Sequence, residues 1–388
     1  NLLHQLAPCV EFHILNSFLQ HCYDNLRLLS INILLRLIYK MFEVDPISAD
    51  HKDVIYDVSF DYYGRRMGTC SSDQTVKIWD EDEFGKLTVS SSWKAHSGSI
   101  WRISWAHPEF GQVLATCSFD RTASVWEEVA GEKVAATMTP ARRWVRRTTL
   151  VDSRTSVTDI EFAPKYLGLL LATVSADGII RIYEAPDIMN LSQWPVQHEI
   201  TCKLPLTCIS WNTSTYKLSS HLLAAGSDDP SMNTGKVFIF AYNESARKCA
   251  EVETISEINQ PVTDLAFAPA AGRRFHILAV ASKDLYIVNI RGNNDSTSNM
   301  TLETQTTRFS DHNCPVWRVC WNMLGTMLIS TGDDGCVRIW RLNYTRNWKC
   351  AVVLKAEGSL SPYEPNLNSP NFTTAAVATA KYYKKRNN

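Results

Sequence analysis

Ten histidines are spread over the 388 residues, and three of them share a spacing with a hydroxyl, a carboxylate and an indole that could do chemistry. Thr69, Asp73 and Trp79 follow His51; Thr116, Asp120 and Trp126 follow His96; Ser330, Asp334 and Trp340 follow His312. An imidazole held by a carboxylate beside a Ser or Thr hydroxyl is the material of nucleophilic catalysis, in which the ring takes the hydroxyl proton. Repetition argues against that use. A catalytic base is normally single and converges with a nucleophile in a pocket, whereas this set returns three times in the same order. It reads as a structural brace, a tetrad that keeps polar groups satisfied between strands. Phosphate-loop, nucleophile-elbow and zinc-helix patterns are absent from the sequence. No catalytic residue, cofactor or metal ligand is therefore expected.

The stretches that carry these residues are one unit written three times: DVSFDYYGRRMGTCSSDQTVKIWD, RISWAHPEFGQVLATCSFDRTASVW and RVCWNMLGTMLISTGDDGCVRIW. An alternating strand, a polar turn, a strand ending in Ser-x-Asp or its equivalent, a tight turn and a strand ending at Trp make an antiparallel meander. A fourth strand completes each sheet. Weaker copies fill the interval: Val157 to Tyr183, with Thr173 and Asp177 in register; Thr207 through Phe240, with an insertion after Asp229; and Val262 to Ile290, whose third strand is expected to be short. The weaker copies lack the His and Trp, so the brace is not expected in them. Six sheets result. The reading is all-β: a β-propeller of six blades spanning residues 41–355.

Composition bounds the partners. Lys and Arg number 39 against 40 Asp and Glu, giving a net charge of −1, so no global field draws nucleic acid or an anionic surface. The run Arg142, Arg143, Arg146 and Arg147 around Trp144 sits in strand-like sequence, where alternation would split it between two faces. It reads as a solvated strand edge, and no direct nucleic-acid contact is expected. Lys381, Lys384, Lys385 and Arg386 could form an import signal, a pattern with many chance matches. The eleven cysteines are scattered, with no Cys-x-x-Cys pair; Cys70 and Cys117 hold equal places in two repeats and read as buried thiols.

Residues 1–40 begin with Asn rather than Met, and Met41 is the first methionine. Within them only Leu28 to Leu35 is uncharged between Arg27 and Arg36, far short of the ~20 apolar residues of a membrane helix. They are expected to be an upstream extension without membrane insertion. From Ala356 to Asn388 the strand pattern gives way to Ser, Pro, Asn and Thr, expected as a disordered tail.

The His, Ser-x-Asp and Ile-Trp-Asp wording resembles the WD-repeat family over Asp50 to about Leu354. Finer wording, such as DHKDVIYDVSFDYYGRRM, RTTLVDSRTSVTD, YEAPDIMNLSQW and GDDGCVRIWRLNYTRNWKC, is similar to the Sec-thirteen-homologue nucleoporins within it. That resemblance implies a non-enzymatic scaffold of the Y-shaped nuclear pore complex, serving protein and mRNA transport at the nuclear envelope. It also implies that the six-bladed propeller is open and is completed in trans by a blade whose strands a helical-solenoid nucleoporin inserts. A related solenoid subunit of the GATOR assembly is implied too, placing the chain in the cytoplasm and on the lysosomal surface in amino-acid signalling to TOR. The alternatives are a substrate-recruiting adaptor of a ubiquitin-ligase or chromatin complex and a nucleic-acid-binding propeller.

An unfinished ring needs two sides for its opening. The strand-like Phe42 to Ile47 and the final strand Asn347 to Leu354 are expected there, with Val44, Ile47, Trp348, Val352 and Leu354 as partner-binding side chains. Tyr56, Trp101 and Trp317, each five residues after a repeat His, are the further candidates, since Trp and Tyr dominate interface energetics.

Overall fold

In the computed structural model the described residues are 47–83, 85–130, 142–213, 221–231, 234–244, 246–269, 272–273, 275–293, 301–343, 347–355 and 360–361. They form six sheets, each an antiparallel meander of consecutive strands. Blade 1 holds β1 (Ile55–Phe60), β2 (Arg66–Ser71), β3 (Thr75–Glu81) and β4 (Leu87–Lys94). Blade 2 holds β5 (Ile100–Trp105), β6 (Val113–Ser118), β7 (Ala123–Ala130) and β8 (Arg142–Leu150). Blade 3 follows with β9 (Val157–Phe162), β10 (Leu170–Ser175), β11 (Ile179–Glu184) and β12 (Val196–Thr201). Blade 4 has β13 (Cys208–Trp211), β14 (His221–Gly226), β15 (Val237–Asn243) and β16 (Lys248–Ile255). Blade 5 has β17 (Asp264–Phe267), β18 (His276–Ala281), β19 (Leu285–Asn293) and β20 (Thr301–Phe309). Blade 6 has β21 (Val316–Trp321), β22 (Met327–Gly332), β23 (Cys336–Leu342) and β24 (Trp348–Lys355), with the two-residue β25 (Leu360–Ser361) added at its rim. The chain is thus a six-bladed β-propeller. Among the described residues no helix is long and apolar enough to cross a membrane.

The third strand of blade 5 differs from its expected form: β19 runs nine residues and pairs with β20 along its whole length. Its polar Asn289 and Arg291, which blur the strand pattern, face Gln305 and Glu303 across the ladder.

In blades 1, 2, 3 and 6 the turn after the repeat Asp places one residue in the left-handed region: Gln74, Arg121, Gly178 and Gly335. That conformation lets a short hairpin follow the strand twist. Only glycine adopts it freely, so Gln74 and Arg121 are held there by the hydrogen bonds around the preceding Asp.

The first strand of each blade lies nearest the axis, and β1, β5, β9, β13, β17 and β21 pack side by side in that order. Apolar residues fill the space between successive blades in five clusters, joining blades 1 and 2, 2 and 3, 3 and 4, 4 and 5, and 5 and 6. The small buried residues of the second strands, such as Ala115, Cys117, Ala224 and Ala279, permit this close approach of sheets. Burial raises the Cys70 and Cys117 thiols well above their ordinary value. All nine described cysteines are free.

Candidate functional site

The three His, Ser/Thr, Asp and Trp sets each come together. In blade 1, Trp79 Nε1 donates to Thr69 Oγ1 at 3.1 Å, Thr69 Oγ1 lies 2.9 Å from His51 Nε2, and His51 Nδ1 lies 3.0 Å from Asp73. With the proton on Nδ1 every member is satisfied. Blade 2 repeats the chain through Trp126, Thr116, His96 and Asp120 at 3.0, 2.8 and 3.2 Å. Blade 6 repeats it through Trp340, Ser330, His312 and Asp334 at 2.8, 2.7 and 3.1 Å. Thr69, Thr116 and Ser330 are sealed from solvent, so no substrate carbonyl reaches these hydroxyls. Burial alone would raise the Asp73 carboxyl, but hydrogen bonds from Thr75, the Lys52 amide and His51 outweigh it and hold the group well below the usual range. Asp120 is held down in the same way by His96, Thr122 and the Ser97 amide.

One metal-like cluster lies in this set. His312 Nδ1, Cys314 Sγ and an Asp334 oxygen fall within 4.8 Å of one another. The donor types would suit zinc, but the Arg338 guanidinium sits on Asp334 and 2.6 Å from His312 Nδ1. A cation already occupies the charge, and burial raises the Cys314 thiol away from the thiolate a metal needs.

The middle blades use other braces. Tyr183 donates to Asp152 in blade 3, at 3.1 Å. Lys236 in blade 4 is fully buried and donates to Asp229 and Ser231 at 2.8 and 3.0 Å. Arg308 in blade 5 pairs with Asp284 at 2.6 Å.

The ring has one seam without an apolar cluster across it, between blade 6 and blade 1. Blade 1 ends in its own small cluster of Ile55, Val58, Met67 and Trp79, flanked by Phe60 and Leu87. Blade 6 ends in another, Ile329 and Ile339 with half-buried Cys320, Val337, Val352 and Leu354. Among the described residues no apolar side chain of another blade joins either cluster, and β21 and β1 do not pack as the other first strands do. Near the axis a charged hub spans the opening. Arg318 of β21 donates to the Tyr56 carbonyl at 2.7 Å and lies 3.3 Å from Asp57. Arg102 of β5 donates to Asp264 of blade 5 at 2.7 Å and stands 3.4 Å from Asp159 of blade 3. The aspartates also accept main-chain N–H groups of the next blade: Ile103 on Asp57, Ile209 on Asp159 and Val319 on Asp264.

Comparison with known proteins agrees with this architecture. The model of the WD domain, G-beta repeat, matches residues 45–80, 87–127 and 303–341, the blades that carry the tetrads. Nucleoporin Seh1 of Drosophila melanogaster is 76% identical over 345 residues, covering 89% of this chain and 97% of that protein. The chain belongs to the Seh1 family of nucleoporins. Nucleoporin SEH1 of Homo sapiens is 58% identical over 325 residues, covering 82% of this chain and 90% of that protein. A chain in the crystal structure of a mitotic checkpoint complex superposes with a TM-score of 0.54 at 18% identity, covering 76% of each chain, which shows the shared fold.

Within this Seh1-family propeller the candidate partner residues separate. Val352 and Leu354 face the seam. Trp348 does not: it is buried between blades 5 and 6, in T-shaped contact with Trp321 at 5.3 Å. The cause is a β-bulge in β24. Trp340 pairs with Cys350 and Ile339 with Val352, leaving Ala351 extra, so the alternation reverses and Trp348 and Val352 point to opposite faces. Among the described residues only the last part of β24's outer edge is covered, where Leu360 and Ser361 pair with Leu354 and Val353; the seam there offers a face of blade 6. Those two residues fall in the segment expected to be a tail. Ile47 is exposed, and Val44 with the rest of Phe42 to Pro46 lies outside the described residues, as do residues 1–41, most of 356–388 and the C-terminal lysines.

Tyr56, Trp101 and Trp317 share one register, each the extra residue of a β-bulge at the start of a first strand. Tyr56 and Trp317 are 43% and 49% exposed, while Trp101 leans on the cluster between blades 2 and 3 and on Phe119. The basic run is split by another bulge: Trp144 is buried, and Arg143, Arg146 and Arg147 all face solvent because Arg147 is the extra residue in β8. The hub escaped sequence reasoning, although Asp57, Arg102 and Arg318 stand at the same place, six residues after His51, His96 and His312. Register alone gave them a common height but not their convergence across the axis.

Proposed function

We propose that the chain is a non-enzymatic scaffold subunit of the nuclear pore complex, held in its assembly by a partner that fills the seam between blades 6 and 1. The observation that carries this is the pair of unjoined apolar clusters, one on each side of the seam, in a propeller whose other five junctions are all packed. Leaving such faces bare costs the ~25 cal/mol per Å² of apolar surface that burial would recover. A blade supplied in trans by a helical-solenoid nucleoporin recovers it. The named relatives are nucleoporins, which supports the nuclear-pore location and a part in protein and mRNA transport. By the family resemblance the same seam serves a related solenoid subunit of GATOR, in the cytoplasm and on the lysosomal surface. Residues 41–355 are the propeller in this reading, with 1–40 an upstream extension and 356–388 a tail.

The test is capture of the strand-bearing segment of the solenoid partner by one variant on the seam face of blade 6 and one on the rim of blade 2. Leu354→Glu puts a charge on the seam face and is expected to lower capture at least tenfold, the cost of burying one unpaired carboxylate being several kcal/mol. Arg143→Ala, on the remote rim of blade 2, is expected to leave it unchanged. Equal capture by Leu354→Glu and native chain, both folded, overturns closure in trans. The adaptor alternative then leads, because exposed Tyr56 and Trp317 offer a second surface on one face of the ring.

A further inference from the structure

Two blades that share no apolar cluster still keep a fixed relation at the axis, and one side chain holds it. Arg318 reaches from β21 to the main-chain carbonyl of Tyr56 in β1, at 2.7 Å, and to the Asp57 carboxylate at 3.3 Å. Its other terminal nitrogen lies 3.9 Å from Asp264 of blade 5. Asp57 and Asp264 are themselves fixed, each accepting an N–H from the next blade and sharing Arg102. Arg318 therefore ties the last blade to a rigid anchor in the first. A guanidinium is suited to this: its planar fork serves a carbonyl and two carboxylates at once, and it keeps its charge at any physiological pH.

We propose that Arg318 is a positioning residue for partner recognition, a latch that holds β21 and β1 apart at the separation an incoming blade requires. The inference rests on the seam being the partner's site and adds what presets its width. Without the latch the two end blades are held mainly through the other four among the described residues, and small tilts at each junction add up at the seam. The two apolar faces can then splay, or lean together and bury one another. Either change spoils the fit for inserted strands, since binding pays for reordering whatever the free chain has lost. With the latch in place the end blades are tied at the axis, and recognition falls to the seam-facing Val352 and Leu354 of the outer strand.

Arg318→Met keeps the length and the apolar stem while removing charge and donors; Arg318→Lys restores the cation without the fork. Two measurements apply. Amide exchange in the isolated full chain reads the latch alone: β1 and β21 are expected to exchange about tenfold faster in the Met variant, with Lys between Met and native, as loss of a charge-assisted hydrogen bond gives. Exchange in β10 and β14 should not change. Affinity for the strand-bearing segment of the solenoid partner reads the positioning: about tenfold weaker for Met and largely recovered for Lys. Met and native chains equal in exchange overturn the latch. Faster exchange with undiminished affinity overturns its role in positioning. If the native chain itself fails to bind the segment, closure in trans is what has failed, and the exchange result alone decides whether the latch exists.

Discussion

At the scale of single residues the tetrads were legible because they repeat. Three copies at one spacing read as a structural brace rather than a catalytic set, and the geometry shows hydroxyls buried within hydrogen-bond chains. Asp120→Ala removes the acceptor of His96, Ser97 and Thr122 together, and is expected to lower stability by about 1–3 kcal/mol. A urea midpoint unchanged by that substitution contradicts the brace. The hub carboxylates are perturbed in the opposite direction. Burial pushes Asp159 up to about 7 and Glu161, two residues further along β9 from the hub, to about 8; Arg102 and the Ile209 amide oppose it at Asp159, the Trp211 amide and Arg102 at Glu161. A carboxyl whose native value is raised holds a proton that the unfolded chain has already lost, so between about pH 4 and pH 8 its contribution makes stability fall as pH rises. Asp120, held below its ordinary value, acts the other way, its contribution being lost as pH falls through the acid range. Glu161→Gln keeps an acceptor for the Trp211 amide and cannot ionise. Its urea midpoint should match that of the native chain near pH 5 and exceed it by pH 9. Parallel profiles across that range contradict a Glu161 carboxyl raised by burial.

At the scale of elements the sheets followed from periodicity and the errors followed from bulges. Strict alternation puts Trp348, Val352 and Leu354 on one face. One extra residue at Ala351 moves Trp348 to the other. The same device left Arg146 and Arg147 both exposed in β8 and brought Tyr56 and Trp317 to the surface where their strands begin, while Trp101 in the same register packs on the cluster between blades 2 and 3. A bulge has no reliable sequence mark when the extra residue is Ala or Arg, because it is fixed by the twist that two neighbouring sheets require. The braces of blades 3 to 5 were illegible for a different reason. Each is built once, from Tyr183, Lys236 or Arg308, and a pattern without a second copy has nothing to be compared with.

At the scale of the whole molecule, repeat counting revealed six blades, but it could not say how the ends sit. In a quasi-linear array each blade is stabilised by its neighbours, so a blade with one neighbour is the least protected. Blades 1 and 6 are in that position here, with clusters of four and two fully buried apolar residues on their free sides against nine or more at every internal junction. Amide exchange in the isolated chain should therefore be fastest in the strands facing the seam, β2 and β3 on one side and β22 to β24 on the other, and slowest in β10, β14 and β18. Saturation with the partner's strand segment should erase that gradient, because only the native ring binds it. At a hundredfold excess over Kd the ring gains about 2.7 kcal/mol. The gain should appear as slowed exchange at both ends together, since one inserted blade touches both faces. Protection on one side of the seam only means that the partner docks on a face without closing the ring. Protection restricted to the bulged starts of β1, β5 and β21 places it on Tyr56, Trp101 and Trp317 instead, and the seam is then not the site.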